Sequence, residues 1–181
     1  EERAALLSTL GYPRECMVLV ELLNTLRLSR IALHARTGKQ QYKGHPDLEA
    51  FQGFYELCQH PLYYNGDIES LSDIRQILIR FPLLKGVFIG RGLLSSPLLA
   101  KEFKGNETFL PEQRMSIYFA FHEELFSAYS QVLQGETQLL VKMKTLWEYF
   151  LPETDRKLLK RIKKSTRLQQ YTESVKAIFT S

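Results

Sequence analysis

Residues 61–92 read PLYYNGDIESLSDIRQILIRFPLLKGVFIGRG, and this stretch decides the fold. The apolar run at 61–64 predicts a buried strand that stops at a polar turn, residues 65–67. Apolar residues then recur at helical spacing over 70–81, and a proline follows the predicted helix. A second apolar run at 87–89 predicts another strand, which stops at the glycine-containing turn 90–92. The stretch therefore predicts two parallel strands joined by a helix.

The two turns carry the first functional signal. Because the carboxyl ends of parallel strands lie at one edge of a sheet, Asn65-Gly66-Asp67 and Gly90-Arg91 are expected on the same rim. Gly90 lets a phosphate approach the backbone, and Arg91 can pair with it through both of its terminal nitrogens. Either turn alone is equally well explained as a simple chain reversal, but together they predict a phosphate site.

The same alternation extends upstream. Apolar spacing predicts a helix at 13–26, a strand at 30–33 and a helix at 48–59, and the short apolar run at 4–8 is a further candidate strand. Helices and strands that alternate with short connections indicate a parallel sheet covered by helices. Three or four such units are half of an eight-unit barrel. The predicted fold is α/β, with the C-terminal half of a TIM barrel over residues 1–105.

A polar loop at 35–44 follows the strand at 30–33. His34 ends that strand at the presumed rim, where a histidine is most simply a hydrogen-bonded structural residue. Arg36, Lys39 and Gln40 add so many hydrogen-bond donors that an anionic or amide-rich ligand is the alternative interpretation.

Beyond residue 105 the pattern contains helices only. They are predicted at 111–133, 137–150, 153–165 and 167–179, and we interpret residues 106–181 as a helical-bundle domain. Near its end lies a cationic ridge, which comprises Arg156, Lys157, Lys160, Arg161, Lys163, Lys164 and Arg167. Lys142 and Lys144, one helix earlier, extend it. The ridge is either a solvated helix face or a surface for a phosphate backbone, whereas Trp147 and Tyr149 are predicted to be core residues.

Composition excludes several classes of protein. The 181 residues are 44% hydrophobic and 24% charged, which argues against disorder, and the net charge of +4 permits an acidic partner. Cys16 and Cys58 stand alone, so they are predicted to be buried, reduced thiols, and no metal-binding spacing or nucleophile motif is found in the sequence. No apolar run reaches the roughly 18 residues of a membrane helix, so a cytoplasmic location is expected.

Several motifs carry a family resemblance. They are LHART at 33–37 with QYKG at 41–44, YNGDI at 64–68, FIGRG at 88–92 with Pro97 after it, and KMK at 142–144 with WEY at 147–149. In this combination and order they resemble the tRNA-dihydrouridine synthases. The resemblance runs from about Gly11 to the end of the chain.

The resemblance implies a TIM barrel followed by a helical tRNA-binding domain. It also implies an FMN enzyme that uses NADPH to reduce particular uridines of tRNA to 5,6-dihydrouridine. By this resemblance His34 lies beside the flavin ring, and Arg36 and Lys39 face the RNA or the flavin edge. The ribityl and phosphate end is held by Asn65, Gly66, Asp67, Gly90 and Arg91. The RNA contacts of the helical domain come from Lys142, Lys144, Lys160, Arg161, Lys163 and Lys164.

The sequence departs from the family at its beginning. The family's first barrel strands, which supply flavin-ring contacts and the cysteine that protonates the substrate uracil, have no counterpart, and neither Cys16 nor Cys58 occupies that motif. A lysine expected before Leu10 is also missing, and the chain does not begin with methionine. It is therefore expected to be a truncated C-terminal half that is inactive alone and prone to self-association through open sheet edges. The alternative is a non-catalytic RNA-binding remnant.

Overall fold

The computed structural model describes residues 14–41 and 43–180. These residues divide into two compact units, of which one ends at Gly90 and the other begins at Arg91. None of the described helices is long and apolar enough to cross a membrane. The strand predicted at 4–8 lies outside the described residues.

The first unit alternates helices and strands, as the sequence predicts. Its elements are α1 (Arg14–Asn24), β1 (Ile31–Leu33), α2 (Leu48–Leu57), β2 (Leu62–Asn65), α3 (Leu71–Arg80) and β3 (Gly86–Phe88). The strands form one parallel sheet in the order β1-β2-β3. The α/β class and the parallel connections of residues 61–92 are thereby confirmed, with β3 one residue earlier than predicted.

Side-chain caps fix where two of these helices begin. Asp47 accepts hydrogen bonds from the N–H groups of Glu49 and Ala50 at the start of α2, at 3.0 and 2.9 Å. Ser70 and Asp73 form a reciprocal capping box at the start of α3. Both caps satisfy backbone donors that have no partner inside a helix.

The helices cover one face of the sheet. Leu62 and Tyr64 are buried on that face, and the Tyr64 ring meets Phe51 of α2 edge-on, with ring centroids 5.0 Å apart. Because side chains alternate along a strand, Tyr63 and Phe88 lie on the other face, where Phe88 is 44% exposed. The sheet thus has one buried and one open face.

The second unit is entirely helical in the described residues. Its elements are α4 (Arg91–Ser95), α5 (Leu99–Gly105), α6 (Pro111–Val132), α7 (Glu136–Leu146), α8 (Arg156–Lys164) and α9 (Leu168–Phe179). The four longer helices are confirmed, but α4 and α5 are missed by the sequence because they are too short to show a periodicity. Leu98 between them belongs to the core of the helical unit, which begins at Arg91.

Two helix ends differ from prediction. Helix α7 ends at Leu146 instead of residue 150, and the chain continues in turns, with the Trp147 N–H donating to Lys144 O at 3.1 Å. Trp147 is buried as predicted, whereas the prediction is wrong for Tyr149, which is 39% exposed because helical spacing no longer applies there. Helix α8 begins at Arg156 instead of residue 153, because Asp155 caps it.

A polar network lies inside the helical core. The Tyr171 hydroxyl accepts a hydrogen bond from Trp147 Nε1 at 2.9 Å and lies 2.6 Å from His122 Nε2. His122 Nδ1 lies 3.1 Å from Glu123 Oε1. Since the indole N–H can only donate, the Tyr171 hydroxyl proton is left for His122, and Nδ1 of the neutral imidazole donates to Glu123. Burial lowers the pKa of His122, which favours this neutral form.

The prediction of a buried thiol is wrong in degree for Cys58, which is half-buried at the C-terminal end of α2. Partial burial raises the pKa of this thiol, although a contact with His60 O opposes the shift. A thiol with a raised pKa is a poor nucleophile, in keeping with a structural role. The side chain of Cys16 lies outside the described residues.

Candidate functional site

The carboxyl ends of the three strands form one edge of the sheet in the first unit. Leu33 lies opposite Tyr64, and Asn65 lies opposite Phe88. His34, the turn at 65–67 and Gly90 therefore leave the sheet at the same edge, as the sequence predicts. His34 is exposed there.

The turn after β2 has room only for glycine at its centre. A Cβ atom on Gly66 would lie 2.1 Å from the Tyr64 hydroxyl oxygen, and Tyr64 is only 3% exposed. The Ile68 N–H donates to Gly66 O at 2.9 Å and closes the turn. Burial raises the pKa of Tyr64; the charge of Asp67 adds to the rise and that of Arg36 opposes it. Tyr64 is therefore a neutral support beneath the turn.

Arg36 lies in the segment that follows β1 at this edge. Its Nη1 donates to Gln41 O at 3.1 Å and to Lys43 O at 3.0 Å, and its Nη2 donates to Gly44 O at 2.9 Å. Nη2 also forms an ion pair with Asp67 in the turn after β2. The Arg36 side chain is only 4% exposed. Its guanidinium thus joins the loop after β1 to the turn after β2.

We call residues 37–44 the β1 loop; Tyr42 within it lies outside the described residues. At its base the Asp47 N–H donates to Ala35 O at 2.8 Å. Gln40 Nε2 donates to His45 O at 2.8 Å, and Gln41 has a φ of 49° where the loop reverses. Lys39 is exposed on this loop. The loop is therefore internally braced and presents Lys39 to solvent.

The last part of the predicted phosphate site follows β3. A Cβ atom on Gly90 would meet nothing within 4 Å, so the backbone at Gly90 is open to approach. Arg91 begins α4 and is half-buried in the second unit. Within the first unit, the open backbone at Gly90 and a turn whose carboxylate is paired with a cation form a setting that suits a phosphate group.

In the second unit the cationic ridge borders a groove of about 450 Å³ between α8 and α9. The basic residues that line it are Lys157, Lys160, Arg161 and Lys164, all exposed. Gln170, Glu173 and Ser174 line its other side. Ile162, on the opposite side of α8, is fully buried, and Leu158 and Leu159 pack against the same core. Helix α8 therefore packs by its apolar side and presents its cations outward, as predicted.

Comparison with known proteins decides the family. The family model for dihydrouridine synthase (Dus) matches residues 13–180, which is nearly the whole chain. The chain belongs to the dihydrouridine synthase family. The resemblance seen in the sequence motifs is thereby confirmed.

Individual dihydrouridine synthases match over shorter stretches. The chain is 34% identical over 96 residues to a probable tRNA-dihydrouridine synthase of Aquifex aeolicus (strain VF5), covering 52% of this chain and 30% of the relative. It is 37% identical over 67 residues to a probable tRNA-dihydrouridine synthase of Rhizobium leguminosarum bv. phaseoli, covering 37% and 21%. It is 26% identical over 106 residues to tRNA-dihydrouridine synthase B of Vibrio cholerae, covering 57% and 33%. These matches span a third or less of the relatives' length.

Two lysines that the family resemblance assigned to RNA are not among the residues that line the groove, although Lys144 bonds Ser165, which does line it. Lys144 Nζ donates to Ser165 O at the end of α8, which ties α7 to α8. Lys142 Nζ lies 5.4 Å from the ring centroid of Tyr129 in a cation–π contact. Both lysines thus make structural contacts within the bundle.

Arg36 is the residue whose placement the sequence missed. The family resemblance implies that Arg36 faces RNA or flavin, whereas its side chain is buried and bonded to four protein acceptors. The sequence offers one signal of this placement, which is the glycine-containing and polar composition of the β1 loop. A loop that reverses direction leaves several carbonyl groups that need hydrogen-bond donors. Among the described residues no group of three or more His, Cys, Asp or Glu side chains could hold a metal ion.

Proposed function

We propose that this chain is the phosphate-site and tRNA-binding part of an FMN-dependent tRNA-dihydrouridine synthase. The whole protein would reduce uridine to 5,6-dihydrouridine in tRNA with NADPH. The first unit would supply the C-terminal strands of a TIM barrel, and the open face of its sheet would belong to the barrel interior. The observation that carries the proposal is the parallel register that brings the turn at 65–67 and Gly90 to one edge, within the range matched by the family.

The residues at this edge would hold the flavin by its phosphate and ribityl end. Asn65 and Gly66 would offer the turn, Gly90 would let the phosphate approach the backbone, and Arg91 would pair with it. His34 would lie beside the ring system. When bound and reduced by NADPH, the flavin would supply the hydride that, together with a proton, saturates the uracil C5–C6 bond.

The ion pair between Arg36 and Asp67 supports an anion site at this edge. An unpaired carboxylate in the turn would repel a phosphate, whereas the Arg36 guanidinium compensates the charge of Asp67. Lys39, exposed on the β1 loop, adds a cation to the same side of the sheet. The local field would therefore favour a phosphate or an RNA backbone.

A flavin titration of the full chain tests this proposal. Quenching of FMN fluorescence is expected to saturate with the unsubstituted protein and with the control Arg75→Ala, because Arg75 is exposed on α3. Arg91→Ala is expected to weaken FMN binding about tenfold or more, since it removes a charge-assisted pair. Circular dichroism checks that the unsubstituted chain is folded. If this folded chain binds FMN no better than the Arg91→Ala variant does, the result would contradict the flavin site.

A second candidate function is RNA binding without catalysis. It is favoured by the groove between α8 and α9, whose cations belong to a unit that has its own buried core. Under both proposals Lys160, Arg161, Lys163 and Lys164 would contact tRNA phosphates, and binding would weaken with salt.

Charge reversal on the groove tests this candidate. Lys160→Glu is expected to weaken tRNA binding. The plot of log affinity against log salt concentration should become less steep, with the magnitude of its slope reduced by about 1. Lys85→Glu, an equal charge change at an exposed position of the first unit, is the matched control. RNA binding that depends on Lys160 while FMN does not bind would favour the second candidate; equal effects of the two variants would contradict a specific role for the groove.

A further inference from the structure

We infer that Arg36 is a positioning residue, which holds the β1 loop and the turn at 65–67 in one arrangement around the proposed flavin site. The inference rests on the proposed function for its consequence, but its structural part concerns this chain alone. Arg36, Asp67 and the β1 loop all belong to the first unit. The geometry assigns Asp67 the role of anchor for Arg36.

The contact pattern requires the shape of a guanidinium. Four acceptors from two segments converge on Nη1 and Nη2 of one side chain. A planar fork reaches several acceptors at fixed angles, while a lysine ammonium is a single point at the end of a flexible chain. Arg36→Lys therefore keeps the charge but cannot reproduce the four contacts.

Burial makes the arrangement sensitive to loss of any partner. The Arg36 side chain is 4% exposed, and its Nε has no hydrogen-bond partner among the described residues. The charge of this buried guanidinium is compensated by Asp67, which lies 31 positions away in the chain. Removal of the Asp67 charge leaves a buried cation with carbonyl groups only, a state that favours opening of the loop toward water.

This arrangement gives the edge its form before any ligand binds. The β1 loop carries Lys39, and the turn at 65–67 carries Asn65 and Gly66, so one side chain sets the relation between two parts of the proposed site. Loss of the Arg36 contacts would release both parts together. Preorganisation of this kind strengthens binding by reducing the entropy lost on association.

The first experiment measures amide hydrogen exchange of the β1 loop in the full chain without flavin. The Gln40 and Lys43 amides donate to Thr37 O and Gln40 O at 3.0 Å, and Arg36→Lys and Asp67→Asn are each expected to speed their exchange by about tenfold to a hundredfold, because the loop loses the contacts that hold it closed. Exchange in α6 is expected to stay unchanged. Arg75→Lys and Glu69→Gln are matched controls at exposed positions. Unchanged protection of the Gln40 and Lys43 amides in both variants would overturn the structural part of the inference.

The second experiment is a double-mutant cycle on FMN affinity, read by fluorescence quenching. If Asp67 acts through Arg36, Arg36→Lys with Asp67→Asn should weaken FMN binding no more than the worse single variant. If Arg36 and Asp67 supported the site independently, the fold losses in FMN affinity of the two single variants would multiply in the double variant. This result would overturn the coupling between the two residues. If the unsubstituted chain binds no FMN, the proposed function and the role of Arg36 toward flavin both fail. Amide hydrogen exchange of the β1 loop then still decides whether Arg36 holds that loop in place.

Discussion

Removal of the Tyr171 hydroxyl is expected to be among the most destabilising single-atom changes in the second unit. Tyr171→Phe deletes the oxygen that bonds Trp147 Nε1 at 2.9 Å and lies 2.6 Å from His122 Nε2. Tyr171 and His122 are at most 1% exposed and Trp147 is 2% exposed, so water does not readily replace the lost partner. Each buried group left unsatisfied costs about 1–3 kcal/mol. We expect a loss of about 3 kcal/mol in the free energy of unfolding.

Urea denaturation followed by tryptophan fluorescence measures this loss directly. The chain has one tryptophan, so the signal reports on Trp147 and hence on the helical unit. With a denaturant slope of about 1.5 kcal/mol/M, the midpoint should fall by about 2 M. The control Tyr149→Phe removes the same atom from an exposed tyrosine and should change stability by less than about 0.5 kcal/mol. A loss below about 1 kcal/mol in Tyr171→Phe would refute the argument that the network is sealed from solvent.

Other expected outcomes concern protonation and backbone space. Burial lowers the pKa of His122 in the folded state below its ordinary value of 6.5. Below pH 6.5 the unfolded chain therefore binds more protons than the folded chain does. The contribution of His122 to the stability of the helical unit should be complete above pH 6.5 and should fall as the pH drops below it. His122→Gln should flatten this dependence in urea titrations at several pH values; an unchanged slope would assign it to other groups. Gly66→Ala should destabilise the first unit by about 1–3 kcal/mol, because its Cβ atom would overlap the buried Tyr64 ring. Gly90→Ala, with open space around it, should leave the thermal unfolding midpoint nearly unchanged while it weakens FMN binding; equal midpoints for the two variants would contradict the steric argument.

The sequence predicted the parts of the fold that depend on periodicity. The alternation around residues 61–92 and the four long helices follow from apolar spacing, and Pro111 and Ser70 lie at helix starts as such residues should. The short helices α4 and α5 were missed because one or two turns contain too few apolar positions to show a period. The early end of α7 was missed because its cause is tertiary: Trp147 and Phe150 enter the core from turns.

The candidate site shows the same division between local and long-range information. The register of β2 with β3 could be expected from a parallel sheet, and it brings the two turns to one edge as predicted. The burial and contacts of the Arg36 side chain could not be predicted. They depend on Asp67 in another segment and on carbonyl groups that no sequence motif reveals. Likewise the sequence pattern predicts Lys144 as part of the cationic ridge, and it does not reveal the contact of Lys144 with Ser165 O.

The Arg36 guanidinium binds the β1 loop through the main-chain oxygens of Gln41, Lys43 and Gly44, not through their side chains. Every amino acid supplies such an oxygen, so these contacts leave the side chains of exposed loop positions such as Lys39 and Lys43 free to vary, whereas Gln40 braces the loop through His45 O. The conformation and the surface chemistry of this segment are thereby separable properties. Replacement of Lys39 or Lys43, both exposed, by acidic, apolar or aromatic residues should change what the loop contacts while the bonds from Arg36 to its main chain are kept.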